Sequence, residues 1–190
     1  PGTLSFLTTM IEAHPGILDH ADAVAVHPYT LYPPRVPPEH DVGGEVPVWE
    51  MISSLRNITG DLPIVVTELG WPSWDPVSED EQAHWLTRSL LLLQAEGIST
   101  LCWYTLYDDE TPANQEDAFG LTRFEGDRKP AGEAYAALAQ RAASVTGVGR
   151  VDGLPDGTWG VSYGEAGTAY WGKGEVCGVT LTEEPIWVEP

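Results

Sequence analysis

Three apolar runs along the chain end abruptly in aromatic or ionisable residues. They are Ala21-Asp-Ala-Val-Ala-Val-His-Pro-Tyr29, Pro63-Ile-Val-Val-Thr-Glu-Leu-Gly-Trp71 and Ile98-Ser-Thr-Leu-Cys-Trp-Tyr-Thr-Leu-Tyr107. In the second, Ile64, Val65 and Val66 are consecutive rather than alternating, the pattern of a parallel strand covered on both faces. Strands of that kind carry their chemistry at the carboxyl end. The three ends are His27 with Tyr29, Glu68, and Trp103 with Tyr104.

Between the runs the spacing turns helical. Val48, Met51, Ile52, Leu55 and Ile58 fall on one stripe behind Pro47, which suits a helix start. A second helix opens with the capping box Ser78-Glu-Asp-Glu81, carries Leu86, Leu90 and Leu93, and stops at Gly97. A third begins near Pro130 with Ala134, Tyr135 and Leu138, and residues 4–13 read as a helix belonging to an earlier unit. The order is α followed by three βα units. Such units build either an open doubly wound sheet or a closed barrel, and the long loops after each strand favour the barrel.

A complete eight-unit barrel takes about 250 residues. Here the βα pattern occupies residues 1–147, about the last three units of a partial (β/α)8 TIM barrel. A three-stranded parallel sheet alone would leave two apolar edges unpaired, so an N-terminal half of the barrel is expected upstream as a missing partner. Residues 148–190 change character: Gly is frequent, and short alternating runs occur at 158–163, 168–171, 176–181 and 186–188. This tail reads as a small antiparallel β element that packs on the barrel, since about forty residues bury too little surface to fold alone. Packing is also the expected task of its aromatics, Trp159, Tyr163, Tyr170, Trp171 and Trp187.

Composition narrows the partners. With 29 acidic against 9 basic side chains the formal charge is −20, which argues against nucleic acid and against an anionic membrane surface. No apolar run approaches the roughly 20 residues of a membrane span. Cys102 and Cys177 read as two core thiols, no metal site or cofactor motif is spaced in the chain, and the compartment stays open, secretion included. The acidic loop 108–117 offers oxygen ligands but lacks the regular spacing of a calcium loop.

If the three strands are neighbours, His27, Tyr29, Glu68 and Trp103 converge, with Tyr104 beside them and Trp71 and Trp74 on the rim of the following loop. A carboxylate in an aromatic cup suits carbohydrate: ring faces stack on sugar C–H faces, and polar groups take the hydroxyls. Glycoside cleavage with retention needs one carboxylate as nucleophile and a second as acid/base, and Glu68 suits the first role.

These same residues carry a family resemblance. Val65-Val-Thr-Glu-Leu-Gly-Trp71 is similar to the nucleophile strand of the clan A glycoside hydrolases, retaining TIM-barrel glycosidases. Ala25-Val-His-Pro-Tyr29 resembles their sixth strand, residues 81–97 their seventh helix, and Cys102-Trp-Tyr-Thr-Leu-Tyr-Asp108 their eighth strand. Phe119-Gly-Leu121 and Lys129-Pro-Ala131 look like the approach to the last helix. The resemblance implies Glu68 as nucleophile, Tyr29 as its hydrogen-bonding partner and Trp103 beneath the reacting sugar. The clan's acid/base is a Glu preceded by Asn, and no Asn-Glu pair exists in this chain, so that residue is expected upstream of Pro1 and the fragment is expected to be inactive alone. The alternatives are a non-catalytic carbohydrate-binding protein and a self-contained structural or interaction domain.

Overall fold

The computed structural model describes residues 3–30, 36–40, 46–143 and 145–190, so part of the Pro-rich loop at 33–38 lies outside the described residues. The chain is mixed α/β and divides into two compact units: Pro1–Gly70 with Ile98–Tyr104, and Trp71–Gly97 with Thr105–Pro190.

The first unit holds helices α1 (Thr3–Ala13) and α2 (Val48–Thr59) and strands β1 (Val24–Val26), β2 (Ile64–Leu69) and β3 (Leu101–Trp103). The sheet is parallel throughout, in the order β1-β2-β3. Its first register pairs Val24 with Ile64, Ala25 with Val65 and Val26 with Val66. Helix α2 follows the apolar stripe: Val48, Ile52 and Leu55 are fully buried, and Gly60 ends the helix at φ 62°. Fully burying each such side chain contributes about 1.5–3 kcal/mol.

Two expectations about this sheet need correction. Coverage on both faces fails: Ile64, Val66 and Leu69 are buried, but Ala25, Thr67 and Cys102 are exposed and Val65 is half-buried. Only one face is dry, because no described element covers the other. Cys102 is therefore not a core thiol. Cys177 is exposed as well, and both thiols are free.

The second unit contains α3 (Glu79–Ala95), α4 (Pro130–Ala142) and β4 (Gly149–Arg150), β5 (Thr158–Ser162), β6 (Thr168–Gly172), β7 (Glu175–Val176), β8 (Val179–Thr180) and β9 (Ile186–Val188). Helix α3 starts on the capping box read from the sequence. The Glu81 N–H donates to Ser78 Oγ at 3.2 Å, and the Ser78 N–H donates to Glu81 Oε2 at 2.8 Å. Past its first turn the helix is buried almost all round rather than on one stripe, from Gln82 to Leu93. The reason is that α4, β4 and β5 all pack against it.

The tail forms a four-stranded antiparallel sheet in the order β4-β5-β6-β9, plus the separate hairpin β7-β8. Residues 176–181, expected as one strand, are that hairpin. Cys177 (φ 52°) and Gly178 (φ 78°) both sit at positive φ, the combination a two-residue hairpin turn requires. Tyr163 and Trp171 are buried, as their packing role demands. The Tyr163 hydroxyl donates to Gln94 Oε1 of α3, and burial pushes its phenol pKa up. Trp187 meets the Tyr163 ring edge-on at 5.4 Å and carries the Arg141 guanidinium over its face at 4.1 Å.

Candidate active site

The register of β2 against β3 shifts between Val66 and Leu69, since Val66 pairs with Leu101 and Leu69 with Trp103. Three steps on β2 thus match two on β3. In a regular strand, residues three apart face opposite sides; the irregularity lets Val66 and Leu69 both face the buried side. The two residues between them, Thr67 and Glu68, are held out of that core. Glu68 keeps 36% of its side chain exposed.

Each carboxylate oxygen of Glu68 has a neighbour from the end of β1. The Tyr29 hydroxyl donates to Oε1 at 2.5 Å, and His27 Nδ1 lies 3.6 Å from Oε2, an ion-pair separation rather than a hydrogen bond. His27 Nε2 lies 3.0 Å from Thr67 Oγ1, so the imidazole is held against two consecutive residues of β2. Tyr29 and His27 meet edge-on, with ring centroids 6.5 Å apart and planes at 84°. Parallel pairing produces this triad: β1 and β2 run side by side, so residues just past Val26 fall beside residues just past Val66.

Trp103 ends β3 opposite Leu69 and is half-buried; the Tyr104 N–H donates to Leu69 O at 2.9 Å, and Tyr104 is 37% exposed. The first unit thus brings together His27, Tyr29 and Glu68, and places Trp103 and Tyr104 on the neighbouring strand end. Trp71 and Trp74 belong to the second unit. Trp71 is fully buried, its ring 6.1 Å from Trp85 at 75°, and its carbonyl accepts from Gln82 Nε2 at 2.7 Å. It packs a core rather than standing on a rim. Trp74 is half-buried.

Sequence reading missed two features. Thr67 carries no separate signal within its apolar run, although its position beside Glu68 makes it a reachable partner for a ring from β1. The other is a buried lysine in the second unit. Lys129 is fully buried, and its ammonium donates to Ser73 Oγ at 2.7 Å, to both oxygens of Asp108 at 3.0 and 3.1 Å, and to Ala118 O at 3.3 Å. Asp108 Oδ1 also accepts from the Gly120 N–H at 2.7 Å. Burial lowers the Lys129 pKa below its ordinary value, and the Asp108 carboxylate works in the other direction. A lysine before a proline gives no hint of this from sequence.

The acidic loop is organised by its own hydrogen bonds. Asp117 Oδ2 accepts from the Ala113 and Asn114 N–H groups at 2.7 and 3.0 Å, closing a short helical turn. Among the described residues no group of three or more His, Cys, Asp or Glu side chains is placed to hold a metal ion. No described helix is long and apolar enough to cross a membrane.

A family 39 glycoside hydrolase from the gut symbiont Bacteroides cellulosilyticus matches with a TM-score of 0.70 and 26% identity, covering 88% of this chain and 36% of that one. The neighbours are glycoside hydrolases. A monomeric β-xylosidase from Caulobacter crescentus follows at TM-score 0.48, 18% identity and coverage of 93% and 38%. A family 17 β-1,3-glucanosyltransferase from Rhizomucor miehei gives 0.48, 15%, 67% and 54%. Families 39, 5 and 17, to which the neighbours belong, are all clan A, and the fold resembles part of the TIM-barrel glycosidase of family 39. This chain spans little more than a third of the family 39 structure. No family model and no curated relative matches.

Proposed function

We propose that the chain is the C-terminal part of a retaining glycoside hydrolase barrel, with Glu68 as its nucleophile. The observation that carries this reading is the Glu68 carboxylate at the carboxyl end of a parallel strand, held by Tyr29 at 2.5 Å and flanked by His27 at 3.6 Å while part of it stays open to solvent. The likeness to the family 39 structure supports it. So does the uncovered sheet face at Ala25, Thr67 and Cys102, because parallel sheets are otherwise covered on both sides.

In this reading the substrate is a β-linked oligo- or polysaccharide. A Glu68 oxygen attacks the anomeric carbon as the bond to the leaving oxygen breaks, and an acid upstream of this chain gives that oxygen its proton. Water then attacks the same carbon, its proton returns to the upstream group, and Glu68 leaves as a carboxylate. Tyr29 fixes the orientation of the attacking group, which shortens the search for reactive geometry. Trp103 offers a stacking face for the sugar.

The test is mass spectrometry of the full-length protein after exposure to a panel of 2-deoxy-2-fluoro glycosides, which slow the breakdown of a glycosyl-enzyme. A sugar adduct on Glu68, absent from Glu68→Gln, is the expected result. Turnover by Glu68→Gln near the unaltered rate would sink the assignment, and binding without any adduct would point to a carbohydrate-binding protein.

A further inference from the structure

The two contacts of the His27 ring decide where its proton sits. A neutral imidazole has one N–H and one lone pair, and the groups that its nitrogens face select which is which. Nδ1 lies 3.6 Å from Glu68 Oε2, and an ionised carboxylate can only accept. A lone pair on Nδ1 would therefore face the lone pairs of Oε2. With the proton on Nδ1, the ring presents an N–H to the carboxylate and keeps its lone pair on Nε2. Thr67 Oγ1 lies 3.0 Å from that nitrogen, and a hydroxyl has a proton to donate.

The orientation of the ring depends on the second contact. The first is too long for a hydrogen bond, and the His27 side chain is 52% exposed. His27 stands one step past the Val26–Val66 pair, with exposed Thr67 beside it on the neighbouring strand. Turning the ring over about its Cβ–Cγ bond would bring a C–H to face Glu68 in place of Nδ1. The same turn would bring Cε1 against Thr67, and a ring carbon accepts no hydrogen bond from a hydroxyl. That hydroxyl thus opposes the flip, and a β-branched side chain, stiff at χ1, holds it in place. The Tyr29 hydroxyl gives its one proton to Glu68 Oε1 at 2.5 Å, so it supplies no donor to the imidazole.

We propose that Thr67 is a positioning residue: its hydroxyl donates to His27 Nε2 and so holds the imidazole with its Nδ1–H toward Glu68 Oε2. The ring then steers one carboxylate oxygen while Tyr29 holds the other. This role rests on the reading of Glu68 as the nucleophile, and Thr67 acts on the reaction only through the ring.

The test combines nitrogen-15 NMR of the histidine rings in the full-length protein with the rate at which a 2-deoxy-2-fluoro glycoside traps Glu68. His27→Asn identifies the His27 signals by their loss. The parent should show a protonated Nδ1 and a bare Nε2 that accepts a hydrogen bond. Thr67→Val keeps the shape and removes the donor, so the Nε2 shift should move and trapping should slow roughly fivefold, the worth of one neutral hydrogen bond. Thr67→Ser keeps the donor and should restore both. Thermal melting reports whether the fold persists, and Thr67→Ala is a second donor-free variant if Thr67→Val fails to fold. The proposal is overturned if the parent carries the His27 proton on Nε2, if removing the donor leaves either the shift or the trapping rate unchanged, or if Thr67→Ser behaves as Thr67→Val does. The two readings fail differently: no adduct on Glu68 in the parent removes the nucleophile and this role with it, whereas an adduct that forms at the parent rate in Thr67→Val removes Thr67 alone.

Discussion

Lys129→Met is the substitution whose cost the structure defines best. It removes a fully buried ammonium from Ser73, Asp108 and Ala118 while nearly preserving side-chain length. Asp108, only 11% exposed, is then left with a charge answered by the Gly120 N–H alone among the contacts described. Breaking a buried ion pair in this way costs about 3–5 kcal/mol. For a chain of this length that lowers the melting midpoint by roughly 10 °C. Adding Asp108→Asn should recover more than half of the loss, because the penalty is the stranded carboxylate rather than the missing lysine. Urea denaturation of the single, double and parent proteins measures both quantities. If the double variant is no more stable than Lys129→Met, the stranded charge is not the cause and the reasoning fails. The pH dependence gives a second reading. Burial lowers the folded pKa, so between that lowered value and the ordinary 10.5 the unfolded chain binds a proton the folded chain does not. Stability then rises with pH across that window, and Lys129→Met removes this contribution.

The remaining predictions concern single contacts. Tyr29→Phe removes a hydrogen bond to a charged group, about 1.5–3 kcal/mol; with Glu68 partly exposed the lower end applies, so the trapping rate of the full-length protein should fall roughly tenfold. An unchanged rate would detach Tyr29 from the site. Gly120→Ala would put a Cβ 2.2 Å from the Asp108 backbone nitrogen and 2.5 Å from the Tyr107 carbonyl carbon, so destabilisation of at least about 2 kcal/mol is expected in denaturant titration. Tyr163, whose phenol pKa burial raises above 10.0, keeps its proton in the folded chain where the unfolded chain loses it. Its stabilising contribution is complete below pH 10 and declines above it, so Tyr163→Phe should flatten the alkaline branch of a stability profile measured from pH 9 upward.

Local chemistry was legible where one residue type does one thing. The Ser78-Glu81 box, the Val48, Ile52 and Leu55 stripe, and the proline at the start of α4 all stand where the sequence puts them. Glu68 with Tyr29 was legible for a related reason: parallel pairing aligns strand ends, and both residues follow apolar runs. What stayed hidden depends on neighbours far along the chain. Three consecutive apolar residues say that a strand can be covered on both faces, not that both are; Val65 is half-buried and Thr67 exposed. Trp71 follows a strand, the place of a rim residue, yet Trp85, fourteen positions later, claims its ring. Lys129 needs Ser73, Asp108 and Ala118, three segments that no window of sequence joins.

The knot around Lys129 also bears on how this chain can change over generations. Asp108 and Ala118 are both bound to the same ammonium, and the Asp109 N–H donates to Asp117 O at 2.9 Å, so the two ends of the intervening loop are clamped to each other. Residues 110–116 hang from a closed neck. Doubling a loop whose ends are already fixed costs only about 0.6 kcal/mol, so this segment can be lengthened, shortened or rewritten while the scaffold beneath it stays put. Since Glu110 begins that segment and also lines the open cleft beside Trp74 and Phe124, descendants of this sequence can reshape that cleft by trading one short cassette, with no renegotiation of the fold.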